Sequence, residues 1–357
     1  VKPSALATAI ALTLTAHAIQ ASDAEAAPAW YQNLEMTGLI EVETSYIAPE
    51  NDPSTSDLVL ATAELGIRSK VHAWVEAGIT FLYEQDVTDL EVDTAFVTLA
   101  NAAVSPLFLT AGQLYVPFGV YDSNLVSDPL TLELGETRET ALQLGFEQQG
   151  FAGSVYVFNG DHNVDGRDRV ASWGATLGFA HEQADRAWSA SVGYLNDLGE
   201  SDTLQETIAA NRVSANAFDP TVSSDPSERT GGWTAQAGAR FGGLTLIGEY
   251  LTAAEDFDPT SLAFGTQGAR PAAWNLEAGY RFSLFGRESG IAVAYQGTRE
   301  ALALELPEER WALGWSITLF EGTALGLEWA HDRDYATRDG GSGQSANTVT
   351  AQLAVEF

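Results

Sequence analysis

Between Thr110 and Glu147 the chain reads TAGQLYVPFGVYDSNLVSDPLTLELGETRETALQLGFE, and groups able to do ionic chemistry crowd together there. Asp122, Asp128, Glu133, Glu136 and Glu139 are carboxylates, Arg138 is available to oppose them, and Tyr121 opens the cluster. Such a set attracts cations, and around a narrow aqueous passage it would form an acidic constriction. Pro117, Gly119, Asp122, Asp128 and Pro129 interrupt regular structure, as an infolded segment over 117–137 requires. The alternative is an exterior loop whose carboxylates are merely solvated.

Covalent and metal chemistry find little support. There is no cysteine, hence no disulfide, thiolate ligand or cysteine nucleophile. No GxSxG, HExxH, P-loop or dinucleotide fingerprint stands in a suitable strand-to-helix context. His17, His72, His162, His181 and His331 are scattered along the chain. DHNVDGRDR, Asp161 to Arg169, is superficially like a calcium loop but lacks the distal Glu and the flanking helices. It reads as a solvated turn, with weak divalent-cation binding as the sharper alternative. The expectation is no enzyme, no metal and no cofactor.

The formal charge of −32 and pI near 4.2 exclude a nucleic-acid partner, which would need basic patches. Lysine is confined to Lys2 and Lys70, so the basic residues are almost all arginine. Two explanations of the acidity stay open: attraction of cations, or adaptation to a salty habitat where salt screens self-repulsion.

These groups must be positioned by strands. No apolar run reaches the roughly 18–20 residues a spanning helix needs, so any membrane crossing uses strands. From residue 34 onward, segments of about ten residues alternate apolar and polar positions, separated in turn by tight turns and longer polar loops. LEMTGLIEVETSY puts Leu34, Met36, Ile40, Val42 and Tyr46 on one face, with Glu35, Thr37, Glu41, Glu43 and Ser45 on the other. Next come strands over 58–68 and 71–83, joined by Ser69 and Lys70; later ones include 169–180, 229–241 and 347–357. About sixteen strands result, with short turns at one end and long loops (117–137, 197–228, 253–270, 333–346) at the other. The predicted fold is all-β, a transmembrane antiparallel up-and-down barrel over 30–357. Its inward face carries Glu35, Glu41, Glu43, Glu64, Glu76, Glu249, Glu277, Glu328 and Glu356 against Arg68, Arg240, Arg281 and Arg310.

Outward aromatics form two predicted belts: Tyr46, Tyr83, Trp233, Tyr250, Trp274 and Trp311 near the long loops, and Phe146, Phe151, Phe179, Trp188, Phe241, Phe282 and Phe357 near the short turns. Lys2, a short apolar stretch and small-residue patterns predict an export signal over 1–26, cleaved after Ala18, Ala21 or Ala26. The expected location is the bacterial outer membrane, reached by secretory export. Phe357 is the expected assembly signal for the barrel-assembly machinery.

GQLYVPFG followed by SDPLTLELGETRETALQLGF resembles the LbtU-type siderophore porins, with Gly112 to Phe146 the most specific part. Tyr115 to Gly119, YVPFG, more loosely resembles the wider superfamily that includes phosphate-selective porins, although a basic ladder for anions is missing. The resemblance implies passive uptake of ferric siderophore by a barrel without a plug. From the residues alone, a general diffusion porin with cation preference stays open, as does an adhesin or enzyme built on a barrel. Expected partners are outer-membrane lipid and lipopolysaccharide and the permeating siderophore or small solute, with a homotrimer among the open oligomeric states.

Overall fold

The computed structural model describes residues 33–357 except Arg167, Asp168 and Ser227, and without the side chain of Asp165. The export signal expected over 1–26, and residues 30–32 of the expected barrel, lie outside the described residues.

The strands in chain order are β1 (Leu34–Pro49), β2 (Thr55–His72), β3 (Val75–Glu84), β4 (Thr88–Ala100), β5 (Leu107–Tyr115), β6 (Arg138–Gln148), β7 (Phe151–Phe158), β8 (Ser172–Gln183), β9 (Arg186–Leu195), β10 (Gly232–Phe241) and β11 (Leu244–Ala253). A two-residue hairpin, β12 (Ala263–Phe264) and β13 (Gln267–Gly268), precedes β14 (Ala272–Leu284), β15 (Arg287–Arg299), β16 (Glu309–Phe320), β17 (Thr323–Arg333) and β18 (Ser345–Glu356). The sixteen strands other than β12 and β13 form one closed antiparallel barrel in which β18 returns to β1. The all-β barrel and its strand number are as the alternation predicts.

Burial is inverted relative to a water-soluble barrel. Along β17, Leu327 and Trp329 are 41% and 40% exposed while Glu328 between them is 4% exposed. Along β6, Leu142 and Leu144 are exposed and Glu139 and Ala141 are buried. An apolar exterior of this extent is stable only against lipid. Aromatics run along both rims of this exterior. Trp173, Tyr194 and Trp233 follow one another at 5.4 and 4.7 Å, and Trp274, Tyr295 and Trp311 at 6.5 and 4.8 Å, all near the long loops. Phe151, Phe179 and Trp188, at 4.5 and 4.9 Å, lie near the short turns.

Closure extends to the last residue. Gly38 N donates to Phe357 O at 2.8 Å and Phe357 N donates to Gly38 O at 3.0 Å, continuing the register that pairs Leu39 with Glu356. The Phe357 ring lies over Gly38, where an added Cβ would sit 2.4 Å from its Cζ.

Several boundaries differ from the sequence reading. β2 continues through the turn expected at Ser69 and Lys70 to His72, because a bulge between Lys70 and His72 lets pairing with β3 resume. β8 and β10 start three residues later than expected, at Ser172 and Gly232. The long loops also contain helices that the strand-centred reading missed: α1 (Leu130–Gly135) and α2 (Asp202–Phe218). Leu204 and Ile208 of α2, spaced by four, were its available signal, and both are buried. They join Phe118, Leu130, Leu134, Leu198, Leu251, Phe257 and Leu262 in an apolar core built from inward strand positions and long-loop segments.

Gly38→Val should push the Phe357 ring off β1 and weaken closure by about 1–3 kcal/mol. The temperature at which the folded gel band converts to the unfolded one should fall, and fall less in a Phe357→Ala background. Equal losses in both backgrounds would show that the ring is not the cause.

Candidate functional site

Residues 116–137 connect β5 to β6 and begin and end close together, Val116 N donating to Thr137 O at 2.9 Å. Between these ends the backbone is irregular except for α1, so most of its amide groups have no partner within the segment. Three glutamates on distant strands supply acceptors. Glu249 of β11 accepts from Val120 N at 2.9 Å, Tyr121 N at 3.2 Å and the Thr131 hydroxyl at 2.8 Å. Glu277 of β14 accepts from Asn124 N and Nδ2 at 2.7 and 2.6 Å and from the Ser123 hydroxyl at 2.8 Å. Glu328 of β17 accepts from Val126 N, Ser127 N and the Ser127 hydroxyl at 2.7, 3.0 and 2.5 Å. At the start of α1, Leu130 N donates to Gln296 Oε1 of β15 at 3.2 Å.

A carboxylate can take several donors at once, and bonds to a charged acceptor are roughly twice as strong as neutral ones. The apolar side of the same segment, Val116, Phe118, Leu130 and Leu134, packs into the core. Gly119 and Gly135 permit the close approach of Tyr121, whose hydroxyl would stand 2.5 and 2.4 Å from a Cβ at those positions. Tyr121 itself adopts the left-handed φ of 57°.

This arrangement changes the reading of several expected residues. Glu249 and Glu277 are acceptors for the segment and not free lumen charges, because their oxygens are filled by its donors. Arg138, expected to oppose the cluster at 122–139, instead pairs with Glu91 and, at 3.1 Å, with Asp93, both on β4. Tyr115 donates to the same Asp93 oxygen at 2.8 Å. Arg310 makes a two-pronged pair with Asp332 at 2.7 and 2.9 Å. Arg240 pairs with Glu182, Arg281 lies 3.9 Å from Glu288, and Arg68 stacks 5.7 Å from the Phe96 ring centroid. Glu41 is buried and Glu43 and Glu64 half-buried on β1 and β2; Glu43 accepts from Gln352 at 2.8 Å. Glu35 is exposed and Glu76 half-buried at the short-turn end. Asp122 is exposed, and Asp128 and Glu133 are half-buried. Glu139 of β6 is buried on the inward face.

Ser123, Asn124, Ser127, Thr131 and Gln296 were not among the expected site residues. No local pattern could have found them, since their partners are between 118 and 201 residues away in sequence.

Burial, reinforced by Asp202, Asp93 and Glu133, pushes the Glu136 carboxyl up to about 8, although Arg138 opposes the shift. Burial also raises Glu133 against the pull of Arg310. Glu136 is therefore mostly protonated at neutral pH. Its contribution to stability is complete below the ordinary carboxylate value and is lost as pH rises through about 8. Glu136→Gln should leave thermal stability nearly unchanged at pH 5 and raise it at pH 9, by on the order of 1 kcal/mol. Parallel pH profiles for the two proteins would overturn this assignment.

No family model matches the chain. It is similar to a UPF0422 protein of Legionella pneumophila strain Philadelphia 1, at 30% identity over 354 residues covering 91% of this chain and 66% of the relative. A UPF0422 protein of Coxiella burnetii is 27% identical over 351 residues, covering 90% of this chain and 71% of that protein. The chain thus spans just under two thirds of the Legionella relative's length. Among solved structures, it is similar to OprB of Pseudomonas putida (TM-score 0.64, 10% identity, 91% of this chain and 94% of that one). It is also similar to the outer membrane channel DcaP of Acinetobacter baumannii (TM-score 0.59, 13% identity, 91% and 97%). OmpF of Salmonella typhi matches with TM-score 0.59, 11% identity and coverage of 91% and 97%. At these identities the likeness is one of fold: the chain has the sixteen-stranded closed barrel of these proteins.

Proposed function

We propose that this barrel is a passive channel of the bacterial outer membrane with a preference for cations. The observation that carries the reading is the bridge from the 116–137 segment to Glu249, Glu277 and Glu328, which links the β5–β6 connection to the wall at β11, β14 and β17. In this reading the passage is constricted by that segment. It runs past the carboxylates of Glu41, Glu43 and Glu64, which the segment does not engage. The apolar exterior, the two aromatic rims and the likeness to channel-forming barrels support the membrane location. Phe357, paired into the closing seam, is in the same reading the assembly signal.

Acidic groups in a narrow, partly desolvated passage raise the local concentration of cations, more strongly at low salt than at high. The arginines do not offset this, because Arg240, Arg310 and Arg138 already carry carboxylate partners. Ferric siderophore as the particular solute rests on the resemblance of 112–146, and the general diffusion porin is its competitor. Liposome swelling separates the two: permeation faster than that of a neutral sugar of equal size favours the siderophore, and dependence on size alone favours the general porin.

Planar bilayers test the channel itself. The combined Glu41→Gln, Glu43→Gln and Glu64→Gln variant should lower the cation-to-anion permeability ratio about threefold or more at low salt. Deleting 123–131 should raise single-channel conductance roughly twofold by removing the constriction. Chloride preference in the unaltered protein would overturn the cation reading. Unchanged conductance in a correctly folded deletion would place the constriction elsewhere.

A further inference from the structure

The outer loops contain a second cluster of chemistry, distinct from the glutamates that hold the 116–137 segment. His162 comes from the connection between β7 and β8. Asp197 and Glu200 come from the connection between β9 and β10, where a single 3-10 turn (Leu198–Glu200) precedes α2. One potential ligand atom of each of these three residues lies within 4.8 Å of the others.

The cluster is built and is not a chance meeting of surface acids. Asp197 and Glu200 are 3% and 0% exposed. Asp197 Oδ1 accepts from Gly199 N at 3.2 Å, whereas Oδ2 has no hydrogen-bond partner among the described residues and Asp197 lines a small cavity. Gly199, Thr230, Phe257 and Asp258 line the same cavity with His162, and its volume of about 10 Å³ is close to that of one water-sized body. His162 Nε2 is likewise buried without a hydrogen-bond partner among the described residues. Glu200 accepts long bonds from Ser172 Oγ and His162 N, each 3.3 Å. Gly160 is the position that admits the Glu200 carboxylate, since a Cβ there would meet Glu200 Oε1 at 1.9 Å.

Two buried carboxylates side by side are costly unless positive charge compensates them. The nearby cations are Arg212, which acts on His162, and Arg229, whose Nε stands 3.7 Å from Asp197 Oδ2 and has no hydrogen-bond partner among the described residues. We propose that His162, Asp197 and Glu200 bind one first-row divalent transition-metal cation, which pins the β7–β8 connection to the β9–β10 connection. One imidazole nitrogen and two carboxylate oxygens suit Zn²⁺, Mn²⁺ or Fe²⁺ better than Ca²⁺ or Mg²⁺, which favour all-oxygen sets. Metal bonds of about 2.0–2.2 Å put tetrahedral ligands about 3.3–3.6 Å apart, so the three groups close by about an ångström on binding. That movement is within the range of side-chain rotation. Water completes the coordination, and the bound ion ties the base of α2 to the rim beside it.

The test uses the whole barrel in detergent, stripped with a chelator and titrated with Zn²⁺ in competition with a chromogenic chelator. About one equivalent should bind, and His162→Ala and Asp197→Asn should each weaken that binding by at least about tenfold. Zn²⁺ should raise the unfolding temperature of the unaltered protein and leave that of His162→Ala unmoved. Co²⁺ should give visible ligand-field bands that His162→Ala abolishes, a readout that a merely structural histidine would not produce. No stoichiometric binding would overturn the proposal. Equal binding by the unaltered protein and His162→Ala would do the same, by placing the ion on His72, His181 or His331.

Discussion

Every backbone amide removed from water must find an acceptor, and this one constraint organises both the wall of the barrel and its contents. In the wall the solution is closure. Each strand pairs on both sides, and the last backbone groups of the chain, at Phe357, pair in both directions with Gly38. The irregular 116–137 segment does not pair with a neighbouring strand, and it takes carboxylates from the wall instead. Glu249, Glu277 and Glu328 stand on β11, β14 and β17, and each serves consecutive or near-consecutive donors of the segment.

The large negative charge is therefore divided among physically different uses. One set of acids is consumed in holding the segment. A second set is paired with arginine, as in Arg310 with Asp332 and Arg138 with Glu91 and Asp93. Glu41 and Glu64 belong to neither set, and Glu43 keeps only a neutral amide partner. Net charge alone would treat all these groups as equivalent, yet only those without a compensating partner act strongly on a nearby ion.

The long loops are not solvated tethers. Leu204 and Ile208 of α2, Phe257 and Leu262 of the following connection, and Leu130 and Leu134 of α1 share one apolar core with inward strand residues. Arg212 of α2, 3% exposed, locks the two connections together through the Thr260 and Ser261 hydroxyls at 3.0 and 2.9 Å and the Ser223 carbonyl at 3.2 Å. His162, Asp197 and Glu200 stand beside this packed core, on the β7–β8 and β9–β10 connections.

Much of the wall was legible in the sequence because strand alternation is a local signal. Leu327, Glu328 and Trp329 declare their faces by period two alone, and sixteen such segments with alternating loop lengths leave little choice but closure. That Glu249 and Glu277 stand on the polar face of their strands was legible for the same reason. Their task was not, because it depends on donors more than a hundred residues earlier in the chain. Arg138 shows the same limit, since sequence proximity suggested the acids around it while pairing of β4, β5 and β6 delivered Glu91 and Asp93. The sequence by itself determined the period, the faces and the polarity of the barrel, all set by interactions between residues a few positions apart. Only the tertiary structure decided which carboxylates are occupied and which remain free, because a hydrogen bond depends on distance in space, and folding alone brings those partners together.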